Sequence, residues 1–259
     1  PAPTFALGIA RAGSMYTTGP DLGRFLSALF AGGRGVNGRI LRKETLDAMW
    51  RPQFAKPGET TGFGLGFALS TLDGHREIGH GGAIYGFATQ LAALPDDKLG
   101  AVAITTVDGA NAVTSRVADV ALRLMLAARN GSPLPALDTT TDVPPEEAHA
   151  LAGRYGTGDR AVDLVSTLGH LYLDPVRGGE RTELHLLRDT LIVDGRLGYG
   201  ARIARAGTGA IVVGHDTLRR DAEPQPEPSP APERWQGLIG EYGWDHETLY
   251  ILERDGKLQ

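Results

Sequence analysis

Residues 79–87, Gly-His-Gly-Gly-Ala-Ile-Tyr-Gly-Phe, set one histidine among Gly79, Gly81, Gly82 and Gly86. Histidine is the side chain suited to moving or donating a proton near neutral pH. Glycine in or beside a strand marks a place where a ligand or another backbone comes close. The pattern describes bare backbone with one hydrogen-bonding or proton-handling group, His80. The plainer reading of the same residues is a polar strand end followed by turns, and for Gly86 that reading holds. Other chemistries fit poorly. Gly79, Gly81 and Gly86 do not spell G-x-G-x-x-G, no helix pattern follows them, and G-K-[ST] is absent, so a nucleotide loop is disfavoured. His75 and His80 are five residues apart and no H-E-x-x-H occurs, which disfavours a zinc helix. His215-Asp216 reads as a turn, and Asp73 and Glu77 as solvated turn charges.

The neighbouring sequence supplies the elements that would hold His80. Phe63 to Ser70 reads as a strand. Ala88 to Leu94 and Gly100 to Thr106 are apolar runs separated by Pro95-Asp-Asp-Lys98, which is turn chemistry. The block is therefore an antiparallel meander with the bare segment at its centre. Thr18-Gly-Pro-Asp21 reads as a helix start, with Thr18 as N-cap and Asp21 at N3. Leu22, Phe25, Leu26, Leu29 and Phe30 follow at helical spacing, and Gly32-Gly33 stops the helix. A short helix is expected over Arg42–Trp50. A longer one is expected over Asn111–Arg129, with Val113, Val117, Val120, Ala121, Leu124 and Ala128 on its apolar face. Phe25, Phe30, Trp50, Phe63 and Phe67 are expected in the core.

The ordered blocks AGSMYTTGPDLGRFLSALFAGG, GFGLGFAL and GHGGAIYGFATQLAALPDDKLGAVAITT, followed by the long helix, resemble the serine β-lactamase and penicillin-binding-protein superfamily. The likeness is to the class C β-lactamase-like branch, with its esterases and D-amino-acid peptidases, and it covers residues 11–129. In that family a Lys/His-x-Gly triplet on the sheet strand beside the active site is the third catalytic motif, and His80-Gly81-Gly82 matches it. The resemblance implies that His80 donates to the substrate carbonyl side or carboxylate, or helps a Tyr and a Lys manage protons. It implies that the Ala83 N–H is one oxyanion donor. Gly81 and Gly82 would let substrate lie along the strand as an added edge. Tyr85 would line the cleft or simply pack. No metal and no organic cofactor are implied, and the partner is a small-molecule or peptide substrate carrying an amide or ester.

Two family motifs are not found. None of the serines, Ser14, Ser27, Ser70, Ser115, Ser132, Ser166 and Ser229, has Lys three residues on, and Tyr-x-Asn and Ser-x-Asn are both missing. The expectation is a C-terminal portion of a longer serine hydrolase, inactive without the preceding part of its own domain. The rival expectation is a non-catalytic half-protein or pseudoenzyme whose barrel binds a ligand or partner.

Composition fits an ordinary globular chain of one or two domains: 259 residues, 41% hydrophobic, 22% charged, net charge −5. With no basic run, nucleic acid is a poor partner. Cysteine is absent, which removes disulfides and thiol chemistry. No membrane-spanning run is visible. The resemblance favours a periplasmic or secreted location.

The fold class expected is α+β. Residues 1–130 form part of a β-lactamase/transpeptidase-like antiparallel sheet flanked by helices. A linker at 131–145 leads to a small all-β, lipocalin-like barrel at 146–221, because short runs alternate there with Gly and Asp turns from Val162 to Arg219. A Pro-rich linker, 222–232, precedes 233–259. There Leu238-Ile-Gly-Glu-Tyr-Gly243 echoes Leu151-Ala-Gly-Arg-Tyr-Gly156 with four identities, the start of a second, truncated barrel-like repeat.

Overall fold

Thr18 begins the first long helix as its neighbours dictate. Its backbone is extended and its hydroxyl accepts from the Asp21 N–H at 3.3 Å. The computed structural model describes residues 10–84, 86–107, 109–207, 209–221, 232–244, 247–251, 253–254 and 257–258. They fall into two units, Pro1–Leu137 and Asp138–Gln259.

In the first unit α1 (Ala10–Gly13) precedes α2 (Gly19–Phe30), a small hairpin of β1 (Arg34–Gly35) and β2 (Gly38–Arg39), and α3 (Lys43–Met49). Gly33 turns the chain after α2 at φ +83°. A Cβ there would lie 2.1 Å from the Leu41 carbonyl oxygen, so only glycine fits. The sheet follows in sequential order: β3 (Gly62–Phe63), β4 (Ala68–Leu72), β5 (His75–Ile84), β6 (Phe87–Leu94) and β7 (Leu99–Thr105), all antiparallel. The single strand expected over Phe63–Ser70 is broken in two. Gly64 lies against the Met49 carbonyl, where a Cβ would stand 2.1 Å from the oxygen. Leu65 N–H donates to that same carbonyl at 2.9 Å instead of to a strand.

One face of the sheet packs Leu69, Ile78, Leu91 and Ala93 against Leu26 and Leu29 of α2 and Leu46 of α3, with Trp50 and Phe67 edge to face. The other face carries α4 (Asn111–Asn130), which ends at left-handed Gly131. Here the expected apolar face was misplaced. Thr114, Ala118, Leu122 and Leu126 are the buried stripe, while Val113 and Val117 are exposed. Two apolar stripes compete on this helix, and the one containing Ala118 wins. It lets the helix approach the small Ala92 and Ala103 of the sheet closely. Phe25 and Phe63 likewise prove exposed, against expectation.

The second unit opens with β8 (Thr141–Asp142) and α5 (Pro145–Leu151). A meander follows: β9 (Gly153–Tyr155), β10 (Val162–Thr167), β11 (His170–Pro175), β12 (Thr182–Leu187), β13 (Thr190–Asp194), β14 (Tyr199–Arg205), β15 (Ala210–Val213) and β16 (Asp216–Arg219). Each strand from β9 to β16 pairs antiparallel with the next, and the last returns to the first. The Gly156 N–H donates to Arg219 O and the Asp221 N–H to Arg154 O, both at 2.8 Å, beside a Tyr155–Arg220 bridge. One bridge thus nearly closes the sheet into an eight-stranded up-and-down barrel. Closure removes the exposed edges that an open sheet would leave.

Alternate residues, Val162, Leu164, Leu171, Leu184, Leu191, Val193, Ile203, Ile211 and Leu218, point inward and fill the interior with aliphatic side chains. Eight strands leave an interior about wide enough for side chains alone. Arg220 caps the end of α5 by donating to the carbonyls of Ala150 and Ala152. Thr141–Val143, inside the stretch read as linker, belong to this barrel: β8 pairs with β12, and Val143 is buried in its core.

Residues 222–231, most of the second linker, lie outside the described residues. Beyond them are α6 (Glu233–Gln236), a hairpin of β17 (Gly240–Trp244) and β18 (Glu247–Ile251), and a small pair β19 (Glu253–Arg254) and β20 (Lys257–Leu258). Gly153 pairs with Leu164 and Tyr155 with Val162; Gly240 pairs with Ile251 and Tyr242 with Leu249, at the same spacing. Tyr155 OH donates to Leu151 O at 2.8 Å, and Tyr242 OH to Gly237 O at 3.3 Å.

Candidate active site

The site is built on β5 and the two elements that flank it. β4 pairs with β5 only from Leu72–His75 to Ala68–Gly79, whereas β6 follows β5 all the way to Ile84. From His80 to Ile84 one edge of β5 therefore has no strand beside it among the described residues. His80, Gly81 and Gly82 are all exposed along this edge. Cross-strand partners share a face. His80 pairs with Leu91, which packs under α2, so the imidazole stands on the α2 and α3 side of the sheet. No hydrogen bond to the His80 ring is made among the described residues.

The peptide joining Gly82 to Ala83 is fixed from behind. The Gly82 carbonyl accepts from Thr89 Oγ1 of β6 at 3.3 Å and from Asn111 Nδ2 at 3.1 Å. Asn111 Nδ2 also lies 3.5 Å from the Thr89 carbonyl oxygen. A trans peptide is planar, with N–H opposite C=O. The Ala83 N–H therefore points away from β6, toward the free edge. An outward N–H on such an edge can pair with an added strand or polarise a carbonyl. Tyr85 lies outside the described residues.

The glycines have an internal reason as well. A Cβ on Gly82 would lie 2.8 Å from Thr89 Oγ1, one on Gly81 3.1 Å from Gln90 Oε1, and one on Gly79 2.9 Å from the Leu91 carbonyl oxygen. The bareness thus lets β6 side chains lie over β5. Gly82→Ala is expected to destabilise the chain by about 1–3 kcal/mol through overpacking. Thr89→Ala in that background should recover part of the loss. Urea unfolding of both single variants and the double variant checks this, and additive effects would remove the contact as the cause.

Beneath the strand, on the α4 face, Glu77 is buried rather than solvated. Burial pushes its carboxyl above the ordinary range. A bond from Ser70 Oγ at 2.9 Å and the Arg123 charge oppose the shift, and the Asp119 charge adds to it. Burial also raises Asp119, with Arg123 opposing and Asp73 adding. Asp73, likewise read as a solvated turn charge, pairs with Arg123 Nε at 2.8 Å. A carboxyl raised on folding binds its proton more tightly in the folded state. Stability from this pair therefore grows as pH falls through the raised values and is lost as pH rises through them. Glu77→Gln keeps the acceptor for Ser70 and removes the charge. Its melting temperature should exceed the parent's at neutral pH, with the gap closing on mild acidification. A gap that stays constant with pH would refute the assignment.

Comparison with known proteins now bears on this strand. Residues 1–125 match the family model described as Beta-lactamase. This part of the chain belongs to the serine β-lactamase and penicillin-binding-protein superfamily. The matched stretch of this β-lactamase-family unit contains β5, β6, the start of α4 and the free edge. None of the curated proteins matches the chain. Among solved structures, an octameric penicillin-binding protein homologue from Pyrococcus abyssi is 17% identical with a TM-score of 0.39, over 78% of this chain and 46% of that one. SurE is 22% identical, TM-score 0.27, over 70% of this chain and 42% of that one. SurE with D-Leu is 23% identical, TM-score 0.27, over 70% and 44%. The chain spans less than half the length of these solved chains.

Sequence reasoning missed Thr89, Gln90 and Asn111. Nothing in a strand threonine and glutamine or a helix-start asparagine distinguishes them in one sequence. Only the pairing of β5 with β6, and the return of α4, bring them to Gly81 and Gly82.

Proposed function

We propose that the first unit carries the substrate-side strand of a serine hydrolase of the β-lactamase, D-amino-acid peptidase or esterase type, which cleaves an amide or ester through an acyl-enzyme. The observation that carries this reading is the free edge of β5, with an outward Ala83 N–H and an exposed His80. In this reading the carbonyl of the scissile bond lies along that edge and accepts from Ala83. His80 donates to the substrate or assists proton transfer, and Gly81, Gly82 and Tyr85 border the substrate. In this reading the serine nucleophile and its base are not supplied by these 259 residues, because no serine here has Lys one turn on.

The unit's other edge agrees with a domain that continues. Among the described residues β7 pairs only with β6; it bears no charged residue from Leu99 to Thr105, and Ile104, Val113 and Val117 are exposed. Natural edges left open to water are usually protected by charge. The domain boundaries are proposed with it: a catalytic part ending near 137, a lipocalin-like barrel, and a second copy of the barrel entry from 232. The rival reading is a non-catalytic chain whose barrel binds a ligand or partner; an interior filled by leucine, isoleucine and valine does not support a ligand held inside the barrel. The experiment is hydrolysis of amide and ester substrates by the chain with and without its preceding polypeptide.

A further inference from the structure

We propose that Asn111 is a positioning residue for the free edge of β5, acting through the Gly82 carbonyl to aim the Ala83 N–H. The proposal rests on the reading above for its catalytic consequence, but its geometry stands alone. Asn111 is the first residue of α4, and its side-chain amide reaches back across the sheet. It lies within bonding distance of Gly82 O on β5 and Thr89 O on β6, at 3.1 and 3.5 Å. Thr89 Oγ1 adds a second side-chain donor to Gly82 O. Side-chain donors from two different elements thus converge on one carbonyl of a strand segment that has lost its other neighbour.

This placement solves a local problem. Among the described residues β5 is held on one side only from His80 onward, and three of its residues around this point are exposed. Gly81 and Gly82 have no side chains to wedge the strand, and glycine backbones are the most permissive. Left to β6 alone, the peptide between Gly82 and Ala83 could rock about the strand axis. Because the peptide is rigid and trans, restraining its oxygen restrains its N–H as well. Asn111 and Thr89 therefore convert a loose edge into a donor of fixed direction, which a carbonyl-polarising group requires. Asn111 touches neither Ala83 N–H nor the free edge through these bonds, so its role is to position, not to react.

The direct measurement is the 15N order parameter of the Ala83 N–H in the 259-residue chain. In the parent it should match the paired strands, about 0.85. In Asn111→Ala it should fall toward about 0.6, while Leu72 and Leu94 amides are unchanged. Asn111→Asp, which swaps the donor for an oxygen facing the Gly82 oxygen, should lower it as much. Thr89→Val should lower it less, and Thr89→Ser should restore the parent value. An unchanged order parameter in folded Asn111→Ala or Asn111→Asp overturns the proposal. If Asn111→Ala unfolds, the Asn111→Asp and Thr89→Val comparison decides in the same way. In the polypeptide extended upstream, Asn111→Ala should lower kcat roughly tenfold with little change in KM. Failure of that extended chain to turn over substrate would count against the functional reading, while the order parameter still judges Asn111.

Discussion

Assayed alone, the 259-residue chain leaves a chromogenic cephalosporin, a p-nitrophenyl ester and D-peptides uncleaved; extended upstream to include a Ser-x-x-Lys segment, it hydrolyses at least one of them. This is the expected result, and the reason is chemical. Acyl transfer needs a nucleophile with a base within hydrogen-bond reach, and no serine of this chain has Lys one helical turn away. What the first unit has on one free edge is an outward Ala83 N–H and an exposed His80, which in the proposed reading receive the substrate. Such groups orient and polarise a carbonyl but cannot attack it. In the extended polypeptide, His80→Ala should lower kcat/KM by roughly 10²-fold, which is about 2.7 kcal/mol of barrier. A smaller loss confined to KM would make His80 a binding group rather than a proton-transfer group. Turnover by the chain alone, abolished by changing one of its own serines, would overturn the reading. An unaffected His80→Ala enzyme would take His80 out of the site.

The strand meander and the barrel strands were legible because period-two patterning and turn residues are local. The short runs expected between Val162 and Arg219 are found there as β10 to β16. β9 and β8 were not legible. The first is only three residues long, and the second is a pair of residues whose pairing with β12 is set by tertiary contact. The α4 face was misjudged for a related reason. Valines outrank alanine on any hydrophobicity scale, yet Ala118 is buried and Val117 is not, since close helix–sheet approach favours the smaller side chain. Glu77 looked like a turn charge because the turn at Asp73-Gly74 is near, but β5 carries it under α4. At the candidate site, sequence spacing pointed to His80 and its glycines, and the structure places His80, Gly81 and Gly82 exposed on β5. What spacing cannot give is the direction of a peptide plane, and that depends on Asn111, 29 residues further along the chain.

Residues 138–221 expressed alone should give a dispersed amide spectrum, and Leu191→Ala in that segment should cost about 2–5 kcal/mol. Leu191 is fully buried on β13 and packs in the centre of the barrel among Leu164, Leu171, Leu184 and Ile203. Cutting its isobutyl side chain back to a methyl removes three carbons and leaves a cavity among the aliphatic side chains of the interior. A domain of roughly 80 residues has a total stability of only about 4–12 kcal/mol, so such a loss brings the variant near its unfolding threshold at room temperature. Leu168, exposed in the β10–β11 turn at φ +51°, is the control, and Leu168→Gly should be neutral or mildly stabilising. The same frame tests where the barrel begins. A segment starting at 146 lacks β8 and Val143, so it should unfold at lower urea concentration than one starting at 138. Urea midpoints of the three proteins and the shorter segment measure all of this. Equal midpoints for the two segments would detach residues 141–143 from the barrel. A Leu191→Ala loss below about 1 kcal/mol would mean that the interior is not close-packed, and the ligand-binding reading of the barrel would then return.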